Sequence, residues 1–395
     1  MRRRAHRDDR PVPAPDERAS SGGALGGTRG VRALPHGRRV ARHRARGVEP
    51  AHSVELPRQA RGGCGGWHCW RSRCAGRRHP RAGAQMSTGT SLSNGTSRAR
   101  PLDHIIESER TVEGGGFVVR RPFPTARVSH IDPFLLLDEM GPVEYAPGKA
   151  IGAPEHPHRG FETVTYLMHG AMEHRDTTGA VATIRPGGVQ WMTAGAGVVH
   201  SELPTDDFLR VGGRMHGFQL WVNLPARAKM ISPRYQGFDS AELRRVALPN
   251  GGEVRVVAGT VMGTTGSVQT TSPMTYAHVV MRADEEVTWQ PDEGHTALVH
   301  VFDGEVSANG HAARSGQMFV FERSAGSITL RTGRAARAES AAAAGESGVV
   351  AQALLLGGQP LGEPVVRYGP FVMNTREEIV QAFRDYEEGT LARSV

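Results

Sequence analysis

The sequence predicts an all-β protein: an antiparallel barrel or sandwich pattern that occurs twice, read as two antiparallel β-barrels, followed by a short C-terminal helix. Three observations carry this. From residue 101 on, short apolar stretches alternate with Gly, Pro and Asp turns at roughly 8–12-residue spacing, the texture of antiparallel barrels and sandwiches. The pattern occurs twice. Residues 162–170 match 296–304 when Gly170 is set on Gly304, and residues 187–192 match 315–320. Helical periodicity is confined to the last stretch, 375–387, where Ile379, Ala382, Phe383 and Tyr386 fall on one face.

Taken in order, residues 116–120 read as a strand. Residues 133–138 form a buried strand within 128–138, closed by Glu139-Met140-Gly141-Pro142. Residues 144–157 are a Pro/Gly-rich loop. Residues 162–168 are rich in β-formers and turn at Gly170. Residues 181–184 precede the turn Arg185-Pro186-Gly187-Gly188, and 189–193 form the next strand. Gly195-Ala196-Gly197 permits a tight bend before the strand 198–202, and Pro225 ends the alternating stretch 217–224. Residues 335–347 read as an inserted loop. Thr375 with Glu378 three residues on is a capping-box signature for the final helix. The domains read as a leader (1–100), a first barrel (101–235), and a second barrel ending in the helix (236–395).

The chain's formal charge of +8 suggests a nucleic-acid binder until the charge is located. Residues 1–85 hold 20 Arg and 6 acidic residues, a net of +14, so the remainder of the chain is net −6. The basicity belongs to the leader, and direct nucleic-acid binding is not expected of the rest. The leader has too little apolar patterning to offset its chain entropy. Cys64, Cys69 and Cys74 all lie in it, at a spacing unlike common zinc fingers, so the remainder has neither disulfide nor cysteine nucleophile. Met86 reads as the true start, with the residues before it translated upstream sequence. No apolar run reaches the ~20 residues that span a bilayer. There is no secretory core, and Arg dominates over Lys, as in a GC-rich bacterial gene. These features lead to the expectation of a cytoplasmic monomer.

The chemistry concentrates in His156-Pro157-His158 and His200-Ser201-Glu202. In a strand, positions i and i+2 project from one face. Two such pairs on neighbouring strands would aim three imidazoles and a carboxylate at one point. A nitrogen/oxygen set without thiolate suits Fe(II), with nickel, copper or manganese as alternatives. Open coordination positions would fit a catalytic centre able to take an anionic enolate or phenolate. Arg159 is a candidate anion contact or a support for a ligand. Glu162 is a candidate support for the ligands or a structural residue, because Glu202 already fills the carboxylate role. His169, His174, His216 and His278 read as structural. Phe161 and Trp191 read as core rather than as walls of an aromatic pocket. On the repeat register, His156 and His158 fall opposite Gln290 and Asp292, and His200 and Glu202 opposite Ile328 and Leu330. The second barrel thus loses the ligands.

The stretches 156–167, 190–202, 219–224 and 369–375 closely resemble the pirin family of the cupin superfamily, a resemblance covering about residues 101–390. The resemblance implies a bicupin fold with iron in the N-terminal barrel, held by His156, His158, His200 and Glu202. It also implies one of two functions. The first is a quercetin 2,3-dioxygenase-like activity, opening a flavonol or similar enol or phenol with O2 and releasing carbon monoxide, with Glu202 as ligand and transient base. The second is an iron-dependent, redox-sensing regulator that binds a transcription factor or metabolic enzyme. The first is the expectation carried forward, with a small aromatic substrate and O2 as partners.

Overall fold

The computed structural model describes residues 98–113, 116–333 and 348–393. The leader's cysteines, Met86 and the expected insertion 335–347 lie outside these residues. Among the described residues the chain is antiparallel β-sheet with two α-helices, Asp206–Val211 and Arg376–Glu387. No helix among the described residues is long and apolar enough to cross a membrane.

The first half contains two sheets. A seven-stranded sheet runs in the order Arg234–Phe238, Val189–Thr193, Phe161–His169, Gly213–Asn223, Phe134–Tyr145, Val118–Phe123, Glu109–Val112. A four-stranded sheet runs Ala153–His158, Val198–Pro204, Met172–Asp176, Val181–Ile184. The second half is a ten-stranded sheet centred on Thr296–Ala308, Val349–Gly358 and Met274–Arg282. The architecture is the cupin-like one expected, all β with a short terminal helix, though the hydrogen-bonded ladders do not close into barrels.

Strand Phe161–His169 shows how sequence becomes layering. It is buried along nearly its whole length, so both faces pack. Val164, Tyr166 and Met168 turn to one side, into a core shared with Tyr276, Leu298, Phe302 and Leu354 of the second half. Phe161 and Thr165 turn to the other side, toward the four-stranded sheet. The seven-stranded sheet is therefore the wall between the two halves.

Glu139-Met140-Gly141-Pro142 does not end its strand as the sequence suggests. Phe134–Tyr145 pairs with Gly213–Asn223 throughout, and the register shifts between Met215 and Gly217, opposite Val143 and Met140. Gly141 takes φ +82, and a Cβ there would lie 2.4 Å from the Met215 carbonyl oxygen. The Gly-Pro pair makes a bulge, not a stop.

Two segments cross from one half to the other. Leu102–Glu107 pairs with Gln317–Phe321 and extends the second-half sheet. The C-terminal hairpin Val366–Tyr368/Phe371–Met373 returns to the first half, where Phe371 bridges Arg159. The helix Arg376–Glu387 follows, with the capping box as expected: Thr375 Oγ1 accepts from the Glu378 amide, and the Glu378 carboxylate accepts from the Thr375 amide. Ile379 and Ala382 bury against Phe371, Met373 and Leu391.

Candidate metal centre

Ala153–His158 is an edge strand, which is why it tolerates Pro154 and Pro157. It pairs antiparallel with Val198–Pro204, placing His156 directly opposite His200. The register then slips, so that Glu202 falls opposite Ala153. Such an irregularity re-aims the side chains beside it. The bend before Val198–Pro204 requires glycine: Gly195 has φ +50, and a Cβ there would meet the Ile231 carbonyl oxygen at 2.1 Å.

His156, His158 and His200 present one ligand nitrogen each, all within 4.8 Å of one another. Their ring centroids lie 4.3–5.0 Å apart. The hydrogen bonds on their other nitrogens define what they offer. His156 Nδ1 bonds the Pro154 carbonyl at 2.7 Å, and His158 Nδ1 bonds the Pro370 carbonyl at 3.2 Å. A carbonyl only accepts, so both rings carry their proton on Nδ1 and leave Nε2 as a lone pair. His200 Nε2 is buried with no hydrogen-bond partner. A buried polar atom left unmatched costs about 1–3 kcal/mol, which a bound cation would relieve. Burial, together with the neighbouring His156, pushes His158 down to about 3, and burial likewise pushes His200 well below the usual imidazole range. Both rings are therefore neutral at physiological pH, the state that binds a metal. The donor set fits a divalent transition metal.

Glu202 faces the same cavity but does not join the three-histidine cluster. Its Oε1 accepts from Thr165 Oγ1 at 2.6 Å and from Gln190 Nε2. Gln190 is held in turn by the Tyr235 hydroxyl at 3.3 Å.

The cavity has a volume of about 450 Å³. His156, His158 and Glu202 line it together with Leu136, Met140, Trp221 and Arg367. Trp221 packs edge-on to His158 at 5.2 Å, and the Arg367 guanidinium sits 4.7 Å over the Trp221 ring. Arg367 comes from the C-terminal hairpin, far along the chain from all three histidines.

Two family models match the chain: Pirin over residues 116–222 and Pirin C-terminal cupin domain over residues 276–392. The chain belongs to the pirin family. A pirin-like protein of Caulobacter vibrioides is 40% identical over 292 residues, covering 73% of this chain and 98% of that protein. Pirin-1 of Arabidopsis thaliana is 37% identical over 283 residues, covering 70% and 88%. The solved structure of a quercetin 2,3-dioxygenase from Acinetobacter baumannii matches with a TM-score of 0.67 at 34% identity, covering 74% of this chain and 98% of that one.

In this pirin the other residues singled out by sequence go elsewhere. Glu162 lies on the opposite face of its strand from Thr165, away from the histidines. There it accepts from Thr193 at 2.7 Å and from Thr271, a second-half residue, at 2.8 Å. Burial raises its pKa, and its bonds to Thr193 and Thr271 join the first half to the second. Arg159 is 2% exposed and donates to the Ala196 carbonyl and to Asp385 of the C-terminal helix, the latter at 2.6 Å. Trp191 packs in the core between the halves, and Phe161 packs on Trp221 behind His158, as core residues should. Trp221 is the aromatic wall, and within the stretch 219–224 no local pattern sets it apart from a core residue. His216 bonds buried Glu139 at 3.0 Å, and His278 bonds Tyr166 at 2.9 Å, both structural as expected. His169 stacks on His216. His174 departs from expectation: it lies against His200, with their Nδ1 atoms 3.5 Å apart.

Proposed function

We propose that this pirin is a metal-dependent dioxygenase of the quercetin 2,3-dioxygenase type, acting on a flavonol or a similar enol or phenol. The observation that carries the reading is the convergence of His156, His158 and His200, one ligand nitrogen each within 4.8 Å of the others, beside a cavity that His156 and His158 line and that is large enough for an aromatic ligand. The Acinetobacter quercetin 2,3-dioxygenase, matched over nearly its full length, supports it.

His156, His158 and His200 would hold the metal, with Glu202 as the fourth ligand. Fe(II) is our first choice. When bound, such a cation lowers the pKa of a coordinated hydroxyl and supplies open positions for substrate and O2. The protein's own groups do the rest. Trp221 and Met140 offer an apolar wall to a planar ring. Arg367, the cation among the lining residues, faces a substrate oxyanion. Glu202 is aimed by Thr165 and Gln190 and is the base within reach of the substrate hydroxyl proton. The C-terminal hairpin, tied to His158 through Pro370, supplies Arg367, Gly369 and Pro370 to the wall of the cavity. In this reading the protein is a cytoplasmic monomer whose partners are the small aromatic substrate and O2.

The test is anaerobic loading with Fe(II), followed by quercetin and O2, with carbon monoxide release and loss of flavonol absorbance measured together. We expect both in the wild type and neither in a His156→Ala/His158→Ala variant. Equal release from the two proteins would defeat the proposal.

A further inference from the structure

We infer that His174 and Asp176 are positioning residues that fix the tautomer of His200, keeping its Nε2 bare for the metal. The inference rests on the metal-centre reading above and extends it to the neighbouring strand, Met172–Asp176. That strand pairs with Val198–Pro204 so that Asp176 lies opposite His200 and His174 opposite Glu202. Three i,i+2 pairs thus lie side by side on one sheet: His156/His158, His200/Glu202 and His174/Asp176.

The direction of each hydrogen bond follows from the carboxylate. Asp176 Oδ1 is saturated by its own turn, accepting from the Thr178 amide at 2.8 Å, Thr178 Oγ1 at 2.6 Å and the Ala180 amide at 3.3 Å. This holds the side chain in one rotamer and leaves Oδ2 for His174 Nε2 at 2.8 Å. The Asp176 side chain is fully buried at that contact, as is His174. A carboxylate oxygen can only accept, so His174 carries its proton on Nε2 and presents Nδ1 as a lone pair. The nearest group to that lone pair is His200 Nδ1, at 3.5 Å. His200 therefore places its proton on Nδ1, and its Nε2, buried without a partner, is the lone pair. The His174 ring cannot swing away, because it stacks on Tyr235 at 4.6 Å. The backbone carbonyls of Pro154 and Pro370 do the same for His156 and His158. His200 has no carbonyl in that place and takes its instruction from a carboxylate through a second imidazole. Partners of this kind orient metal-binding histidines, and their loss typically costs about 10- to 100-fold in metal affinity.

Asp176→Asn tests this, because the substitution keeps the shape and reverses the hydrogen bond. The asparagine amide donates to His174 Nε2, which moves the His174 proton to Nδ1 and forces the His200 proton onto Nε2. In metal-free protein at a fixed pH of about 8, 15N spectra of the histidine rings should show His200 as the Nδ1–H tautomer in the wild type and as the Nε2–H tautomer in Asp176→Asn. Co(II) affinity, measured by chelator competition, should fall about 10- to 100-fold in that variant. His174→Phe, which keeps the stack on Tyr235 but removes the acceptor, should show both His200 tautomers and an intermediate loss. It also serves as the second arm if Asp176→Asn fails to fold. An unchanged His200 tautomer in both variants, or wild-type Co(II) affinity in both, would overturn the inference. The tautomer reading needs no metal. A protein that shows the tautomer switch but binds no Co(II) would retain the relay and lose the metal-centre reading instead.

Discussion

Across the strands Ala153–His158 and Val198–Pro204, His156 meets His200. Across the matching pair of the second half, Glu286–Trp289 and Ile328–Arg331, Trp289 meets Ile328 and Val287 meets Leu330. All four of these second-half side chains are buried, in a cluster that includes Val299, Val306, Ala308, Phe319 and Leu355. Where the second half is filled with hydrocarbon, the first half keeps a cavity rimmed by imidazoles. Filling an interior contributes stability, and leaving a polar hollow forfeits it. The two halves thus divide the work, with packing in one and binding in the other. The hollow half is braced from outside by the C-terminal segment: Pro370 on His158, Asp385 on Arg159, and the Val372 carbonyl on buried Lys229.

That contrast can be broken at its strongest point first. Trp289→Ala empties the filled half and should cost about 3–5 kcal/mol in urea denaturation, whereas His200→Ala in metal-free protein should cost less, since it removes a ring whose Nε2 is already without a partner. Next comes the brace. Lys229 donates to Gly160 O at 2.8 Å, Asn223 Oδ1 at 2.7 Å and Val372 O at 3.0 Å, all buried. Lys229→Met leaves those three acceptors without a donor, and at about 1–3 kcal/mol for each acceptor left dry we expect a total of at least about 3 kcal/mol. A loss under about 0.5 kcal/mol would show that water replaces the ammonium.

Metal should sharpen the contrast, since it acts on one half alone. At a free Co(II) or Fe(II) concentration 100 times its Kd, the wild type should gain about 2.7 kcal/mol, read as a rise in Tm, and His156→Ala/His158→Ala should gain nothing. The smallest effect is that of pH on the metal-free protein. Burial lowers His158 to about 3 in the folded state. The unfolded chain therefore binds the proton first, and stability is complete above about pH 6.5 and lost as pH falls toward 3. Between pH 7 and 5.5 this one group should remove about 1 kcal/mol. His158→Leu should flatten that part of the profile, and an unchanged slope would refute the assignment.

The histidine pairs were legible because i,i+2 spacing fixes their faces whatever lies around them. The repeat was legible too, but its register was offset at the edge. Gln290 and Asp292, matched by sequence to His156 and His158, lie beyond the strand and are exposed, while Trp289 and Val287 occupy the paired positions. Gapless matching of glycines cannot see where a strand ends. The Gly141-Pro142 pair likewise reads as a terminus, and only pairing with Gly213–Asn223 carries the strand through it. His174 illustrates the opposite error. Its spacing to Asp176 obeys the same period-2 rule that singled out the other pairs, so the signal was present. The missing fact was that its strand lies beside His200.

The sequence by itself determined the all-β class, the twofold pattern, the capped terminal helix and the residues able to bind a metal. Each is written in local periodicity or in side-chain chemistry, which do not depend on distant neighbours. Tertiary structure decided that Glu162 turns away from the site, that Arg159 pairs with Asp385 of the C-terminal helix, and that Trp221 and Arg367 line the cavity. It also decided that each half receives a segment from the far end of the other's chain. These are matters of which strands meet, and long-range pairing is set by the packing of the whole core rather than by any stretch of residues within it.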